Sequence, residues 1–505
     1  MELNVLETMR DIVGPEYVSN EDFVLMSYGK DISGGLVEKR PDYVVRPKSP
    51  EEIAEILKMA NAEKIPVIPR GGGAGLLDCT FPLKSGGIVL DMTRMDKILD
   101  FNEDNLTVTV QCGITWAQLN SFLNERGYYT GTLGPGSGMS AVVGGGLSHH
   151  SVGGGGNAKY GAVTKHCIGL KVVLANGDIV TTGSGASKYV KEPFSRWVIG
   201  PDLTSIFFGD QGIMGVKAEA TLLVFPKPQY RSYKTFVIKR KASQIVMNIL
   251  LNIRKAGLEV YDAYWLPELT VSSGLGLIVT EFTVFKLWKD VNPKGKDIFF
   301  YTCEAESDIE LEQRVKRLNE LVLENKGVEM LGPEISDGNI AKWHYEKDGH
   351  WQIYHGFWGA TGRGSVPQTA EHHLPIHQIP MMMETFAQWE SKNQDLLAKA
   401  GPALHGLGSG LLCDHTTIEM DSGLVVWNKP EFREINETLW KSCLEMVIKS
   451  GGLPYMAGMR YSRALIDTNA LSDPFYNLMK TVKQALDPNG IISPGKYYLG
   501  LGGSQ

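Results

Sequence analysis

Four glycine-rich segments carry the first chemical suggestion. Pro69-Arg70-Gly71-Gly72-Gly73-Ala74-Gly75-Leu76 follows a short β-branched run. Consecutive glycines let backbone N–H groups converge on one point, a nest for phosphate oxygens that no side chain obstructs. A second stretch runs Gly134-Pro135-Gly136-Ser137-Gly138-Met139-Ser140-Ala141-Val142-Val143-Gly144-Gly145-Gly146, and then Leu147-Ser148-His149-His150. Asn157-Ala158-Lys159-Tyr160-Gly161 is the third, and Gly209-Asp210-Gln211-Gly212-Ile213-Met214-Gly215-Val216 the fourth. Each alone suits an ordinary turn; in this order they could line one extended anionic ligand. The first is not a G-x-G-x-x-G turn opening a helix, because the chain continues through LLDCTFPLKSGG into another strand. A nicotinamide site of the usual kind is therefore disfavoured.

Histidine supplies the second set of candidates. His149 and His150 follow the second glycine stretch, and either could serve as a base if it faces a bound substrate. Eight of the 11 histidines fall between His344 and His415. Three of them lie in Glu371-His372-His373-Leu374-Pro375-Ile376-His377, and His405 and His415 follow. Active-site lining, with His373 and His405 foremost, metal ligation and plain structure are all open for this group, and no metal is assigned. The neighbouring His350-to-Trp358 run, HWQIYHGFW, suits an aromatic-substrate cavity or a core equally.

The elements that must position these residues can be read from local pattern. Ser49 suits a helix N-cap, Pro50 the first helical position, and Glu51 and Glu52 the positive end of the dipole. A helix is expected at TWAQLNSFLNERG, and Asn176-Gly177 between two apolar runs predicts a hairpin. Near Pro226-Lys227-Pro228 the pattern changes to strands alternating with long helices, ASQIVMNILLNIRKAG and ELEQRVKRLNELVLEN. This is a second, α+β unit. At 505 residues several folding units are expected, and 43% hydrophobic with 21% charged residues is ordinary for a globular chain. A net charge of −7 without runs of one sign gives no argument for nucleic acid or an anionic membrane surface as the main partner. The N-terminus reads as an amphipathic helix rather than a signal peptide, and no apolar window approaches a membrane span. The six scattered cysteines, without a C-x-x-C pair, read as thiols of a reducing, cytoplasmic compartment.

The order P-R-G-G-G-A-G, G-P-G-S-G-M-S-A-V-V-G-G-G, K-Y-G, V-V-L-A-N-G-D, G-D-Q-G-I-M-G-V and finally L-D-P-N-G-I-I-S-P-G-K resembles the vanillyl-alcohol oxidase / p-cresol methylhydroxylase flavoprotein superfamily. The resemblance covers most of the chain. It implies an α+β fold, with a two-subdomain FAD-binding domain over residues 1–228, a cap domain over 229–450 and a segment over 451–505 that returns to the FAD domain. It also implies which residues hold FAD. Arg70 through Leu76, with Pro69, would wrap the pyrophosphate. Pro135, Gly136, Ser137 and Ser140, then Gly144, Gly145 and Ser148, would follow the ribityl chain and flavin ring, with Tyr160 and Gly161 nearby. Gly212, Ile213 and Val216 would hold the adenine side, and Asn489, Ser493 and Lys496 would close over the cofactor.

The reaction implied is hydride transfer from a phenolic or benzylic substrate to the flavin. Tyr455 matches one member of the Tyr-Arg pair that ionises the phenol in such enzymes; Met456 takes the place of the arginine, and Arg460 could substitute if the loop differs. An arginine beside a phenol favours phenolate. The aspartate that phenol oxidisers place beside the flavin is missing from Gly136-to-Gly138. The K-Y-G element is similar to D-lactate and glycolate dehydrogenases, making a 2-hydroxy acid the second reading and a non-redox ether-forming transferase the third. A small-molecule substrate, an electron-acceptor protein and a homo-oligomer are the expected partners.

Overall fold

The computed structural model describes residues 4–31, 39–239, 242–267, 296–331 and 365–501, apart from 77, 81, 83, 401–403, 428 and 456–457. The chain divides into two compact units. The first comprises Met1–Ser151, Val163–Pro226 and Met456–Gln505, and the second Val152–Ala162 and Lys227–Tyr455.

The first unit is built on two sheets. In the smaller, Tyr43–Val45, Ile88–Asp91 and Val67–Arg70 run parallel, and Val18–Ser19 pairs antiparallel at the edge. The helix Pro50–Ala62 makes the crossover that parallel neighbours require. Its start follows the sequence: Ser49 Oγ accepts the Glu52 N–H at 3.3 Å, and Pro50 sits where no intrahelical donor is needed. Ile53, Ile56, Leu57 and Ala60 are fully buried against Val45, Val67, Ile88 and Leu90. Val67 also bridges Ile492, so the C-terminal segment lies along this sheet.

The larger sheet is antiparallel, in the order Ile98–Asn102, Thr107–Gln111, Val216–Leu223, Cys167–Val173, Ile179–Thr181. Its last two strands form the hairpin expected at Asn176-Gly177, where Gly177 has φ +85. The helix Trp116–Asn124 is held by a complete capping box from Thr115 and Gln118.

The second unit is built on a nine-stranded sheet, and among the described residues its long helices pack on one side. Hydrogen-bonded neighbours share a face, so the register identifies the two sides. Phe299, Trp265, Gly410, Met420 and His372 align on one of them. The His372 ring stacks on Phe386 of helix Ile379–Lys392, and Tyr301 reaches Asn319 of helix Asp308–Leu323 at 2.8 Å, so this is the helix-covered face. Phe300, Tyr264, Leu411, Glu419, His373 and Leu453 align on the other.

The segment Val152–Ala162 is tied to that second face. Asp262, fully buried, accepts N–H groups from Gly156 at 2.6 Å and Asn157 at 2.9 Å, and Tyr264 Oη donates to Gly153 O at 3.0 Å. A buried carboxylate holding successive amide protons is well satisfied. It sets the short helix Asn157–Tyr160, and with it Lys159 and Tyr160, on the sheet.

Candidate active site

A cleft of about 550 Å³, its open side included, lies in the first unit between the two sheets' loops. Arg70 and Gly71 enter it from the end of strand Val67–Arg70, and Gly144, Gly145, Ser148 and His149 from the glycine helix Val143–Ser148 and its C-cap. Gln211, Gly212, Val216 and Lys217 enter from the fourth glycine segment, and Lys496 from the C-terminal turn. Residues more than 400 positions apart thus converge on one space.

The glycines are there for close approach. A Cβ on Gly72 would stand 1.7 Å from the Ser140 carbonyl oxygen, and one on Gly71 would stand 2.3 Å from Val142 Cγ2. The first two glycine loops are therefore in backbone contact, and no larger residue fits. Gly212 has φ +72, and its neighbour Gln211, with φ +54, takes the same left-handed turn.

Beneath the cleft, among the described residues, two buried lysines are paired with carboxylates and a third is not. Lys217 Nζ lies 2.6 Å from Asp210 Oδ1, and Lys483 Nζ lies 2.5 Å from Asp487 Oδ2. All four side chains are buried. Lys496 is buried as well, and its ammonium donates to the Gln211 carbonyl at 2.5 Å. Among the described residues it has no carboxylate within ion-pair distance. Burial pushes the Lys496 ammonium below its ordinary pKa, against the pull of Cys79 and Asp210. A buried cation without an anion is costly, and this one opens onto the cleft.

Further buried polar atoms around it have no hydrogen-bond partner among the described residues: His149 Nδ1, Gln211 Oε1 and Ser493 Oγ. His149 Nε2 lies 3.1 Å from the Cys79 thiol. Burial, then the nearby Lys496, lower His149 to a pKa of about 4, so its ring is neutral near pH 7, and burial raises the Cys79 thiol. Two cations, Arg70 and Lys496, backbone amides freed by glycine, and orphaned donors and acceptors make a donor set suited to a dinucleotide diphosphate. FAD fits this description.

Of the residues expected to hold the cofactor, the cleft is lined by Pro69, Arg70, Gly71, Gly144, Gly145, Ser148, Gly212, Val216 and Lys496. Others stand behind it. Leu76 and Ile213 are in the core, and Asn489 Nδ2 donates to Asn61 Oδ1 at 3.0 Å. Tyr160 and Gly161 belong to the second unit, where the Tyr160 ring meets Tyr261 edge-on. Cys79, Thr80, Gln211 and Lys217 also line the cleft and escaped the sequence reading. The position of Gln211 inside G-D-Q-G was the one available signal.

The expected catalytic residues are divided between the two units, and two of them, His373 and Tyr455, are in contact. His150 Nδ1 lies 2.9 Å from Thr164 Oγ1, its ring against Gly209. Arg460 is in the helix Met459–Asp467 of the first unit. In the second unit the Tyr455 hydroxyl accepts the Val152 N–H at 2.8 Å, and the His373 ring stacks on Tyr455 at 5.1 Å. His405 pairs through its backbone with Leu424. The aromatic run 350–358 and Met456 lie outside the described residues. The register sets the buried Glu419 directly beside His373, with Cys413 Sγ 4.0 Å from His373 Nε2. Glu419 was not singled out from sequence, because its partner strand lies more than 40 residues away. Among the described residues, no trio of His, Cys, Asp or Glu could hold a metal ion, and no helix is long and apolar enough to cross a membrane.

Comparison with known proteins bears on this cleft. Residues 41–183 match the FAD binding domain family, and residues 461–497 match the C-terminal domain of FAD linked oxidases. The chain is 27% identical over 500 residues to the glycolate oxidase subunit GlcD of Bacillus subtilis, covering 98% of this chain and 97% of that one. It has the fold of 4-ethylphenol oxidase from Gulosibacter chungangensis, solved with isoeugenol, at a TM-score of 0.81, 16% identity and coverage of 98% and 96%. It also has the fold of substrate-bound p-cresol methylhydroxylase, at a TM-score of 0.79, 18% identity and coverage of 98% and 96%. The matched domains take in Arg70 and Gly144 at one end of the chain and Lys496 at the other, so the chain carries an FAD binding domain and the C-terminal domain of FAD linked oxidases, and it is an FAD-dependent oxidoreductase acting on CH–OH or CH groups.

Proposed function

We propose that this oxidoreductase acts on an uncharged aryl substrate, a para-alkylphenol or a benzylic alcohol, and passes its hydride to FAD. The reading rests on the charge of the sheet face that carries the 152–162 segment. Asp262 and Glu419 are both buried there. Their fields are felt by the surroundings: burial first, then Asp262 and Glu419, raise the Tyr264 phenol well above its ordinary pKa. Of the basic residues near this segment, Arg231 is engaged by Glu304 and Lys159 by Glu259 at 3.3 Å and Glu304 at 3.9 Å, while the Arg254 guanidinium is turned to the backbone carbonyls of Ala158 at 2.9 Å and Asp414 at 2.8 Å. A substrate carboxylate brought to this face would meet negative charge; a neutral hydroxyl would not.

FAD, when bound, supplies the hydride acceptor. The chain's part is to accept the proton that leaves the substrate hydroxyl. In this reading Glu419 and His373, adjacent across two strands, perform it: His373 takes the proton and the carboxylate stabilises the imidazolium, the usual division of work between a base and its acid neighbour. Tyr455, stacked on His373 with its hydroxyl held by Val152, fixes the ring.

The test is anaerobic mixing of the FAD-loaded protein with 4-alkylphenols, aryl alcohols, glycolate and D-lactate while the flavin absorbance is followed. Bleaching by the aryl compounds alone is expected. The sequence likeness to a glycolate oxidase subunit favours the second reading, a 2-hydroxy acid, and bleaching by glycolate or D-lactate alone would replace the first with it.

A further inference from the structure

The first unit displays an aromatic surface that neither its core nor its cleft uses. Beyond the edge strand Ile179–Thr181, the chain from Ser187 to Leu203 is fastened at its base. Ser184 N donates to Ser195 O at 2.7 Å, and Ser184 Oγ accepts from Phe194 N at 2.8 Å. Pro193 packs against Gly169 and Gly185. Arg196 donates to Thr164 O at 3.0 Å, and its Nε stands 3.0 Å from Asp202. From this pinned base the large side chains point outward: Tyr189 is 96% exposed, Trp197 69% and Phe194 58%, with Val198, Ile199 and Leu203 about half exposed beside them. Single exposed hydrophobics are ordinary, but six within 15 residues on a fastened loop mark an interaction surface.

The charges indicate which partner. Asp202 is paired to Arg196, and Glu192 accepts from Asn102 at 2.8 Å. Lys188 and Lys191 are exposed beside the aromatic residues and have no ion pair among the described residues. With Lys188, Lys191 and Arg196 against Glu192 and Asp202, the loop carries a net charge of +1 on a chain of net charge −7. Lysine is depleted from protein–protein interface cores, whereas at a bilayer it keeps its head among anionic phosphates while Trp and Tyr sit at headgroup depth. We infer that the 187–203 loop is a docking surface for an anionic phospholipid bilayer, entered by Phe194, Trp197, Val198 and Ile199 and held by Lys188 and Lys191.

The full FAD-loaded chain is sedimented with vesicles of phosphatidylcholine alone and of phosphatidylcholine mixed equally with phosphatidylglycerol. Roughly tenfold greater partition onto the anionic vesicles is expected, falling with salt. Lys188→Glu with Lys191→Glu should remove that preference, and Tyr189→Ser, Phe194→Ser and Trp197→Ser together should abolish binding. Retained flavin absorbance and an unchanged melting temperature show that the variants are folded. Should the triple variant not fold, Trp197→Phe serves instead: bromine-labelled lipid should quench wild-type tryptophan emission more than that of the variant. No partition above that of phosphatidylcholine alone, variants that bind like the wild type, or quenching unchanged by Trp197→Phe would overturn the inference. So would a dimer in solution that the triple variant dissociates, since the loop would then meet a second copy.

Discussion

Lys496→Met separates holding the cofactor from holding the fold. Lys496 is 4% exposed, donates to one carbonyl and has no carboxylate partner among the described residues. Asp210, whose field reaches it, is engaged by Lys217 Nζ and by the amides of Gly212 and Met214. Without FAD the ammonium is an uncompensated buried charge; with FAD it faces a diphosphate. At about 4 Å and an effective dielectric near 20, one unit-charge attraction amounts to about 4 kcal/mol. Subtracting part of it for desolvation leaves roughly 3 kcal/mol, or about a hundredfold in Kd. Methionine keeps the volume and removes the charge. Titration of the FAD-free protein with FAD, followed by quenching of flavin fluorescence, should give a Kd about 100-fold weaker. The melting temperature of the FAD-free variant should be equal to or above that of the wild type, because the desolvation penalty is gone. The pH dependence adds a second signature. The folded pKa of Lys496 is depressed, so wild-type affinity should fall as pH rises through it, while the variant should be flat over that range. A variant Kd within threefold of wild type, with no change in pH dependence, would refute the assignment of Lys496 as the cleft's anion holder.

Other perturbations test other parts of the structure. Gly72→Ala places a methyl 1.7 Å from the Ser140 oxygen, and parting the two loops should leave the purified protein without flavin colour and less stable by about 3 kcal/mol. Asp262→Asn removes the charge that holds the amides of Gly156 and Asn157; a loss of about 2–3 kcal/mol in urea unfolding is expected. Glu419→Gln should lower kcat about 100-fold or more with FAD affinity unchanged, and an unaltered kcat would remove Glu419 from the reaction. His372 is buried, has its Nε2 unpartnered, and is lowered to a pKa of about 4 by burial. Between the ordinary value near 6.5 and 4 the unfolded chain binds the extra proton, so stability falls with acidification, by up to about 1.4 kcal/mol per pH unit. His372→Leu should flatten that acid limb whatever its effect at neutral pH.

The cofactor was legible in the sequence because its determinants are local. Ser49 with Pro50, Thr115 with Gln118 and Asn176 with Gly177 act within a few residues; the first and last form the cap and turn expected of them, and Thr115 with Gln118 caps a helix that was expected without its cap. The glycines announce themselves by type, and Gly71, Gly144 and Gly212 do line one cleft. What escaped was everything that depends on burial. Lys483 and Lys496 look alike in the sequence, yet one is neutralised by Asp487 four residues on and the other has no carboxylate within ion-pair distance among the described residues. Tyr455 has the residue type for ionising a phenol, but its hydroxyl is hydrogen-bonded to Val152, 303 positions away.

The same reasoning explains why the substrate is the least legible part. A cofactor shared across a fold is held by backbone, and backbone needs appear as glycine; a substrate is recognised by a few side chains whose meaning is set by what surrounds them. Glu419 shows this directly. In T-T-I-E-M-D it reads as one acid in an alternating strand. The register that aligns it with His373 on one side and Leu411 on the other makes it a buried carboxylate on the face opposite the helices. That juxtaposition, three strands wide and invisible in any window of the chain, carries the charge argument against a carboxylate substrate. It follows that Glu419→Gln, by removing negative charge from this face, should change discrimination as well as rate: the ratio of kcat/KM for a benzylic alcohol to that for its para-carboxylated analogue should fall about tenfold or more relative to wild type. An unchanged ratio would mean that the substrate does not meet this face, and the proton acceptor would then have to be sought elsewhere.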